Sequence, residues 1–131
     1  MQYLIMILIV IGMIVSDIIT GLIKSCVIDR PRSKKMRIGG FNKLAEIVVM
    51  ATACGFEIGI EQLGKYYESP ELAALAGSMT AIGVFVYIVA MEIISILENY
   101  SEINPDAKWP KKFVDKFRTL ECKESEHKDD N

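Results

Sequence analysis

MTAIGVFVYIVAMEIISILEN, residues 79–99, begins as an apolar stretch and ends in polar side chains. Glu92, Ser95 and Asn99 are three and four residues apart, so they share one face of a helix. An apolar helix that carries a carboxylate among its last turns favours a protein neighbour over lipid. This stretch therefore predicts a membrane helix that packs against other helices.

Apolar residues are grouped in three blocks, at about residues 1–23, 44–63 and 70–97, and the charged residues lie between and after them. The chain has 131 residues, which suits one domain. The segregation of charge favours a small integral membrane protein over a soluble bundle of buried helices. The soluble alternative fails on the first block, because residues 1–16 contain no charged side chain.

Basic residues are concentrated in two segments. Seven of the 15 Lys and Arg residues lie in residues 24–43, and seven lie after residue 100. Because positive residues accumulate on the cytoplasmic side, both segments are placed there. Three transmembrane helices follow by parity, with the N-terminus outside and the C-terminus inside. We expect the basic connection 24–43 to contact anionic lipid headgroups rather than nucleic acid.

The expected fold is all-α, with a single membrane domain over residues 1–120. The first block is expected to be an uncleaved span rather than a signal peptide, because no Lys or Arg precedes residue 24. Residues 121–131 are expected to form a charged, disordered tail. Helices are expected at about residues 2–24, 42–63, 70–99 and 111–120.

Two helix features are predicted from local pattern. Ser69-Pro70-Glu71 has the residue types of a helix start, with a hydroxyl before a proline and an acid in the first turn. The helix at 111–120 is predicted to be a short cytoplasmic amphipathic helix that lies on the membrane surface. Its apolar side is predicted to carry Phe113, Val114, Phe117 and Leu120.

The second block is an apolar helix with an acidic stripe, because Glu46, Glu57 and Glu61 fall within roughly 60° of one another around a helix. Its eight Leu, Ile, Val and Phe residues each favour insertion by roughly 0.3–0.6 kcal/mol. A central charge such as Glu57 costs on the order of 2.5–3.5 kcal/mol. The two sums nearly cancel, so this helix is marginal as a lone span. Either the glutamates pair with groups on a neighbouring helix, or they face a water-filled lumen in an oligomer.

The flanking blocks carry further candidate contacts. Asp17 lies in the inner third of the first block and shares a face with Thr20 and Lys24. Its carboxylate either meets water or Lys24 at the interface, or faces the interior of a helix bundle. In the third block a ridge of small residues is predicted to allow close helix contact. This ridge consists of Ala73, Gly77 and Ala81.

No catalytic, cofactor-binding or metal-binding constellation is evident in the sequence. There is no supported Ser/His or Cys/His pair and no phosphate-binding glycine loop, and the one histidine, His127, is not a metal site. Cys26, Cys54 and Cys122 lack CxxC spacing and are expected to be free thiols. We therefore expect a protein that is not an enzyme and holds no cofactor.

Four motifs follow one another along the chain: Asp17-Ile-Ile-Thr-Gly-Leu-Ile-Lys24, Gly40-Phe-Asn-Lys43, Glu92-Ile-Ile-Ser-Ile-Leu-Glu-Asn99 and Pro110-Lys-Lys. Together they resemble the toxin-secretion/phage-lysis holin family of Gram-positive phages and clostridial toxin loci. The resemblance covers roughly residues 15–120. The chain departs from the family's pattern beside Lys43 and in the turn after Asn99. The family-motif residues are Asp17, Thr20, Gly21, Gly40, Lys43, Glu92, Ser95, Glu98 and Asn99.

The resemblance implies a cytoplasmic-membrane protein that oligomerises and opens a lesion for an endolysin or a large toxin, which passes without stable binding. Membrane lipids, further copies of the chain and an antiholin are the partners it suggests, and nucleic acid is not among them. The alternatives are an antiholin or partner-dependent membrane subunit, and a small cation channel. The candidate pore-lining or inter-helix polar residues are Asp17, Glu46, Glu57, Glu61 and Glu92.

The near-cancelling insertion energies of the second helix motivate one mechanistic hypothesis. The helix exchanges between a packed state and a state that lines a lumen. Membrane depolarisation or crowding shifts this balance by changing the cost of its carboxylates.

Overall fold

A computed structural model describes residues 2–28 and 33–126, and within these residues the chain is all-helical and contains no strand. The all-α class predicted from the sequence is therefore confirmed. Residues 29–32 of the predicted basic connection and the predicted tail beyond residue 126 lie outside the described residues. The four helices are α1 (Gln2–Ile28), α2 (Ser33–Tyr66), α3 (Pro70–Ile103) and α4 (Lys108–Glu126).

Helices α1 and α3 are both long and apolar enough to cross a membrane. At 1.5 Å per residue, their 27 and 34 residues correspond to about 40 Å and 51 Å, against a hydrocarbon core of about 30 Å. Only 17% of the most apolar 18 residues of each helix is buried, so most of this apolar surface faces outward, as in a membrane-spanning helix. Helix α2 has the length of α3 but does not meet the same test of apolarity.

The predicted extent of the basic connection at residues 24–43 is wrong. Helix α1 continues to Ile28, and α2 already begins at Ser33 rather than near Asn42. Gly39 and Gly40 lie inside α2, and no described glycine has a positive φ. A glycine in a helix costs about 1 kcal/mol relative to alanine. A helix of 34 residues tolerates this cost, so the glycine pair does not end or interrupt α2.

Prolines lie at or near the start of α3, the end of α3 and the start of α4. Helix α3 starts at Pro70 as predicted, and the Ala73 amide donates to the Ser69 carbonyl across 3.2 Å. It continues past Asn99 to Ile103, because the residue before Pro105 is the first to be biased away from helix. Helix α4 begins at Lys108 rather than at residue 111 and tolerates Pro110 in its first turn, where amides have no helical partner. It runs to Glu126, so residues 121–126 of the predicted tail are helical.

The turn between α2 and α3 is tight and requires a glycine at its start. The Ser69 amide donates to the Gly64 carbonyl across 2.9 Å, and Glu68 takes a left-handed φ of 55°. A Cβ at position 64 would collide with the side chain of Ala73 and lie 3.1 Å from the Ser69 carbonyl oxygen. Only a residue without a side chain therefore lets α2 and α3 approach this closely.

Contacts divide the chain into two compact units. Unit 1 comprises Met1–Val15 and Arg32–Glu92, and unit 2 comprises Ser16–Pro31 and Ile93–Asn131. The hydrophobic core of unit 1 draws residues from three helices. It consists of Val10 and Ile14 of α1, Met50 and Cys54 of α2, and Ile88 of α3.

Candidate functional site

The family-motif residues Lys43 and Glu92 form an ion pair in unit 1, which joins α2 to α3. Glu92 is completely buried, although it is charged, and its second carboxylate oxygen has no hydrogen-bond partner among the described residues. The Lys43 ammonium is also 3.9 Å from the Glu46 carboxylate, one turn further along α2. A buried pair of this kind contributes little net stability when intact, but it is costly to break from one side.

The acidic stripe of α2 faces the interior of unit 1. Glu57 is 7% exposed and lies on the same side of α2 as the buried residues Ala53, Cys54 and Gly64. Its carboxylate is within interacting range of the Tyr3 phenol of α1. Glu61, near the end of the helix, is more exposed and pairs with Lys65 across 3.4 Å. In unit 1, Glu57 thus lies between helices, whereas Glu61 pairs within α2 itself.

The ridge of small residues on α3 meets α2 within the same chain. A Cβ at Gly77 would lie 3.0 Å from the Glu57 Cα and 3.3 Å from its carbonyl oxygen, so the two backbones are nearly in contact. Ala81 is completely buried one turn later. Ala73 packs against Gly64 at the start of α3. The ridge therefore lets α3 cover the acidic stripe.

A second polar cluster lies in unit 2 and centres on Asn99. The Asn99 amide nitrogen donates to the Asp17 carboxylate across 3.0 Å and to the Thr20 hydroxyl across 3.2 Å. Its amide oxygen accepts from the Lys24 ammonium across 3.5 Å. Asp17 is buried, and Lys24 also pairs with Glu102 across 2.7 Å. One amide of α3 therefore connects three polar side chains of α1.

Replacing Asn99 with leucine should destabilise the chain by roughly 1–2 kcal/mol, because inter-helix hydrogen bonds of membrane helices are worth about this much. The measurement is reversible unfolding in mixed micelles of increasing SDS fraction. Asn42→Leu serves as the control, since Asn42 is exposed on α2. Equal stability of the two variants would contradict the assigned role of the Asn99 amide.

The remaining motif residues fall into three situations. Glu98 pairs with Arg118 of α4 across 2.5 Å, which ties the last helix to the end of α3 within unit 2. Gly21 adjoins Asn99, but a Cβ there would make an ordinary contact of 3.7 Å. Gly40 faces open space, and Ser95 is half-buried. Space alone therefore does not require glycine at position 21 or 40.

Three of the contacting residues lie outside the motifs and could not be predicted from the sequence pattern. Tyr3, Glu102 and Arg118 each lie many residues from the side chain they meet. The sequence indicated a contact only for Lys24, because its spacing from Asp17 and Thr20 places all three residues on one face of α1. No group of three or more His, Cys, Asp or Glu side chains in residues 2–28 and 33–126 is placed to hold a metal ion.

The chain matches a known protein family along most of its length. Residues 1–122 match the sequence model of the bacteriophage holin family. The chain belongs to that family. No curated protein and no solved structure matches the chain. Family membership and the two long apolar helices identify a membrane protein of phage lysis. In this holin-family protein, the Lys43–Glu92 pair and the Asn99 cluster are the candidate functional contacts.

Proposed function

We propose that this protein oligomerises in the cytoplasmic membrane and, at a timed point, opens a lesion through which an endolysin or a large toxin leaves the cell. In the proposed topology α1, α2 and α3 all span the membrane, with the N-terminus outside and the C-terminus inside. Cargo passes through the lesion without a stable binding site.

The observation that carries this proposal is the covered carboxylate of Glu57. It lies in the last third of the Asn42–Leu63 part of α2, is 7% exposed, and has the Gly77 backbone against it. A buried carboxylate is stable only while its surroundings compensate for lost hydration. A water-filled lumen would return that hydration, so the side of α2 that is covered in unit 1 is suited to become the wet side of an oligomer.

The resting state of this scheme is the packed arrangement of unit 1. In it, α3 covers the acidic stripe through Gly77 and Ala81, and the Lys43–Glu92 pair holds α2 beside α3. Opening requires α2 to leave α3 and expose Glu57 to the lumen. Depolarisation and crowding shift this balance to the extent that they favour one state over the other.

Large apolar side chains provide the surface for self-association and for lipid. Leu8, Ile19 and Leu22 on α1 and Leu75, Met79 and Val86 on α3 are among those that are exposed. In a bilayer these side chains contact acyl chains or other copies of the protein. Exchange between the two kinds of contact has little hydrophobic cost, because lipid tails are as apolar as leucine.

The experiment that tests the function is inducible expression of the chain alone in bacteria, while membrane potential and release of a folded cytosolic reporter are followed together. Sudden depolarisation followed by reporter release is the expected result. Depolarisation without release would indicate a small channel instead. Absence of depolarisation, with the protein present in the membrane, would favour an antiholin or a partner-dependent subunit.

Replacing Glu57 and Glu61 with glutamine should delay the onset of permeability. Neutral side chains cost less to bury and gain less from a lumen, so the packed state is favoured, and each 1.4 kcal/mol changes the ratio of states about tenfold. The measurement is the time from induction to depolarisation, with Glu71→Gln as control because Glu71 is exposed at the start of α3. Unchanged timing together with unchanged pore size would remove helix α2 from the mechanism.

A further inference from the structure

One side of helix α4 is covered within unit 2. Pro110 and Val114 are buried, and Phe117 beside them is half-buried. Of the predicted apolar side, Val114 and Phe117 are thus covered within unit 2, Phe113 is exposed, and the Leu120 side chain lies outside the described part of the chain. The Glu98–Arg118 ion pair fixes the orientation of the helix relative to the end of α3 in the same unit.

A different apolar surface of α4 is exposed. Trp109 is 63% exposed and Phe113, one turn later, is 49% exposed. At 100° per residue these two rings lie about 40° apart, on a side that neither Pro110 nor Val114 shares. Large aromatic side chains at this level of exposure are unusual for a helix in water, but typical of a membrane interface, where the rings sit at headgroup depth.

A row of lysines lies directly beside these aromatic rings. Lys108, Lys112 and Lys116 are spaced by four residues, all are exposed, and each of the first two immediately precedes an exposed aromatic residue. Residues 108–119 contain five basic side chains and one acidic side chain, a net charge of +4. The row therefore gives this side of α4 a positive edge along an aromatic stripe.

The chain holds this surface close to the membrane. Helix α3, which is long and apolar enough to span, ends at Ile103, and α4 begins at Lys108. At most about 3.3–3.6 Å of chain per residue leaves α4 within roughly 18 Å of the end of α3. The surface is thus within reach of the headgroups that surround that end.

We propose that Trp109, Phe113 and the lysine row 108/112/116 form a docking surface for an anionic phospholipid bilayer. The rings enter the interface, and the ammonium groups contact lipid phosphates, whose charge is complementary to theirs. The proposal requires only that α3 spans a membrane and is independent of lesion formation, so its failure would leave the lytic function standing.

Trp109 is the only tryptophan of the chain and reports on its own surface. The experiment reconstitutes the full chain into vesicles that contain a fixed share of brominated phosphatidylcholine, with the remainder either phosphatidylglycerol or phosphatidylcholine. Quenching by lipid-borne bromine is read in the same way from either leaflet. We expect stronger quenching and a blue-shifted emission with phosphatidylglycerol, and we expect high salt to reverse both through screening.

Removing the lysine row should abolish the preference for phosphatidylglycerol. The ratio of docked to undocked helix is expected to fall about fivefold per lysine replaced by glutamine. Lys112→Gln is compared with Lys111→Gln, a lysine that lies on the other side of the helix and should have the smaller effect. Phe113→Ser, which removes the second ring, should reduce quenching even when phosphatidylglycerol is present.

Two outcomes would overturn the proposal. Quenching of Trp109 that is equal in both kinds of vesicle and insensitive to the lysine row would exclude an anionic lipid surface. A blue shift that grows with the protein-to-lipid ratio, without dependence on phosphatidylglycerol, would show that a second copy of the chain covers these rings instead.

Discussion

Replacing Lys43 with methionine is expected to open unit 1. The change leaves the Glu92 carboxylate completely buried without the ammonium that it contacts on α2. Breaking a buried ion pair from one side costs roughly 3–5 kcal/mol. Because Glu92 already has one oxygen without a hydrogen-bond partner in the described residues, little remains to compensate the charge. We expect α2 to separate from α3, and lysis to begin earlier than in the unchanged protein.

The thiol of Cys54 measures this opening directly, because Cys54 is buried in the core of unit 1. In a background with Cys26 and Cys122 replaced by serine, labelling of Cys54 by a maleimide should accelerate in Lys43→Met. Lys65→Met is the matched control, since Lys65 is largely exposed and surface pairs such as Glu61–Lys65 contribute less than about 1 kcal/mol. Exchanging the charges, Lys43→Glu with Glu92→Lys, should return part of the protection. Slow labelling in Lys43→Met would show that the pair does not hold the helices together.

Replacing Gly77 with valine is expected to separate the same two helices by overpacking. The new Cβ would meet the Glu57 backbone at about 3 Å, and backbone cannot move aside as a flexible side chain can. Overpacking of this kind costs typically 1–3 kcal/mol, and the two further methyl groups of valine add to the crowding. The expected readouts are faster labelling of Cys54 and an earlier onset of permeability.

Gly83→Val is the control for this change. Gly83 lies on the same helix, and a Cβ there would meet no atom within 4 Å. The two variants therefore share the loss of a glycine and differ only in what the new side chain touches. If Gly77→Val and Gly83→Val behave alike, close packing of α3 on Glu57 is not what keeps the acidic stripe covered.

Much of the helical framework follows from composition and local pattern. The apolar blocks predict α1 and α3, and Ser69-Pro70-Glu71 predicts the start of α3, because these signals are local. The helical period also places Glu57 beside Ala53 on one stripe of α2, and both of these residues are buried. The ends of helices were harder to predict, since Gly39-Gly40 is compatible with either a turn or a long helix.

The partners of the polar residues could not be predicted in the same way. Periodicity shows which side chains share a face, but the axial register between two helices decides which faces meet. Lys43 meets Glu92 because of how α2 is offset along α3, and that offset depends on packing at positions such as Gly77; in unit 2, the offset of α1 along α3 likewise brings Asp17 to Asn99. Within the predicted apolar side of α4, Val114 is buried and Phe113 is exposed, and only tertiary contacts distinguish two such neighbouring apolar residues.

The close approach of Gly64 to Ala73 has a consequence for biosynthesis. The residues that cover the acidic stripe from α3 leave the ribosome after all of α2, so the emerging second helix at first has only α1 beside it. The charged side chains of α2 then oppose its insertion into the bilayer, as the near-cancelling insertion energies of its residues indicate. In the proposed topology, helices α2 and α3 are therefore suited to enter the bilayer as a hairpin, because a nascent chain that stops before Pro70 lacks the helix that covers Glu57. Unit 1 can therefore complete its packing only after α3 has been translated.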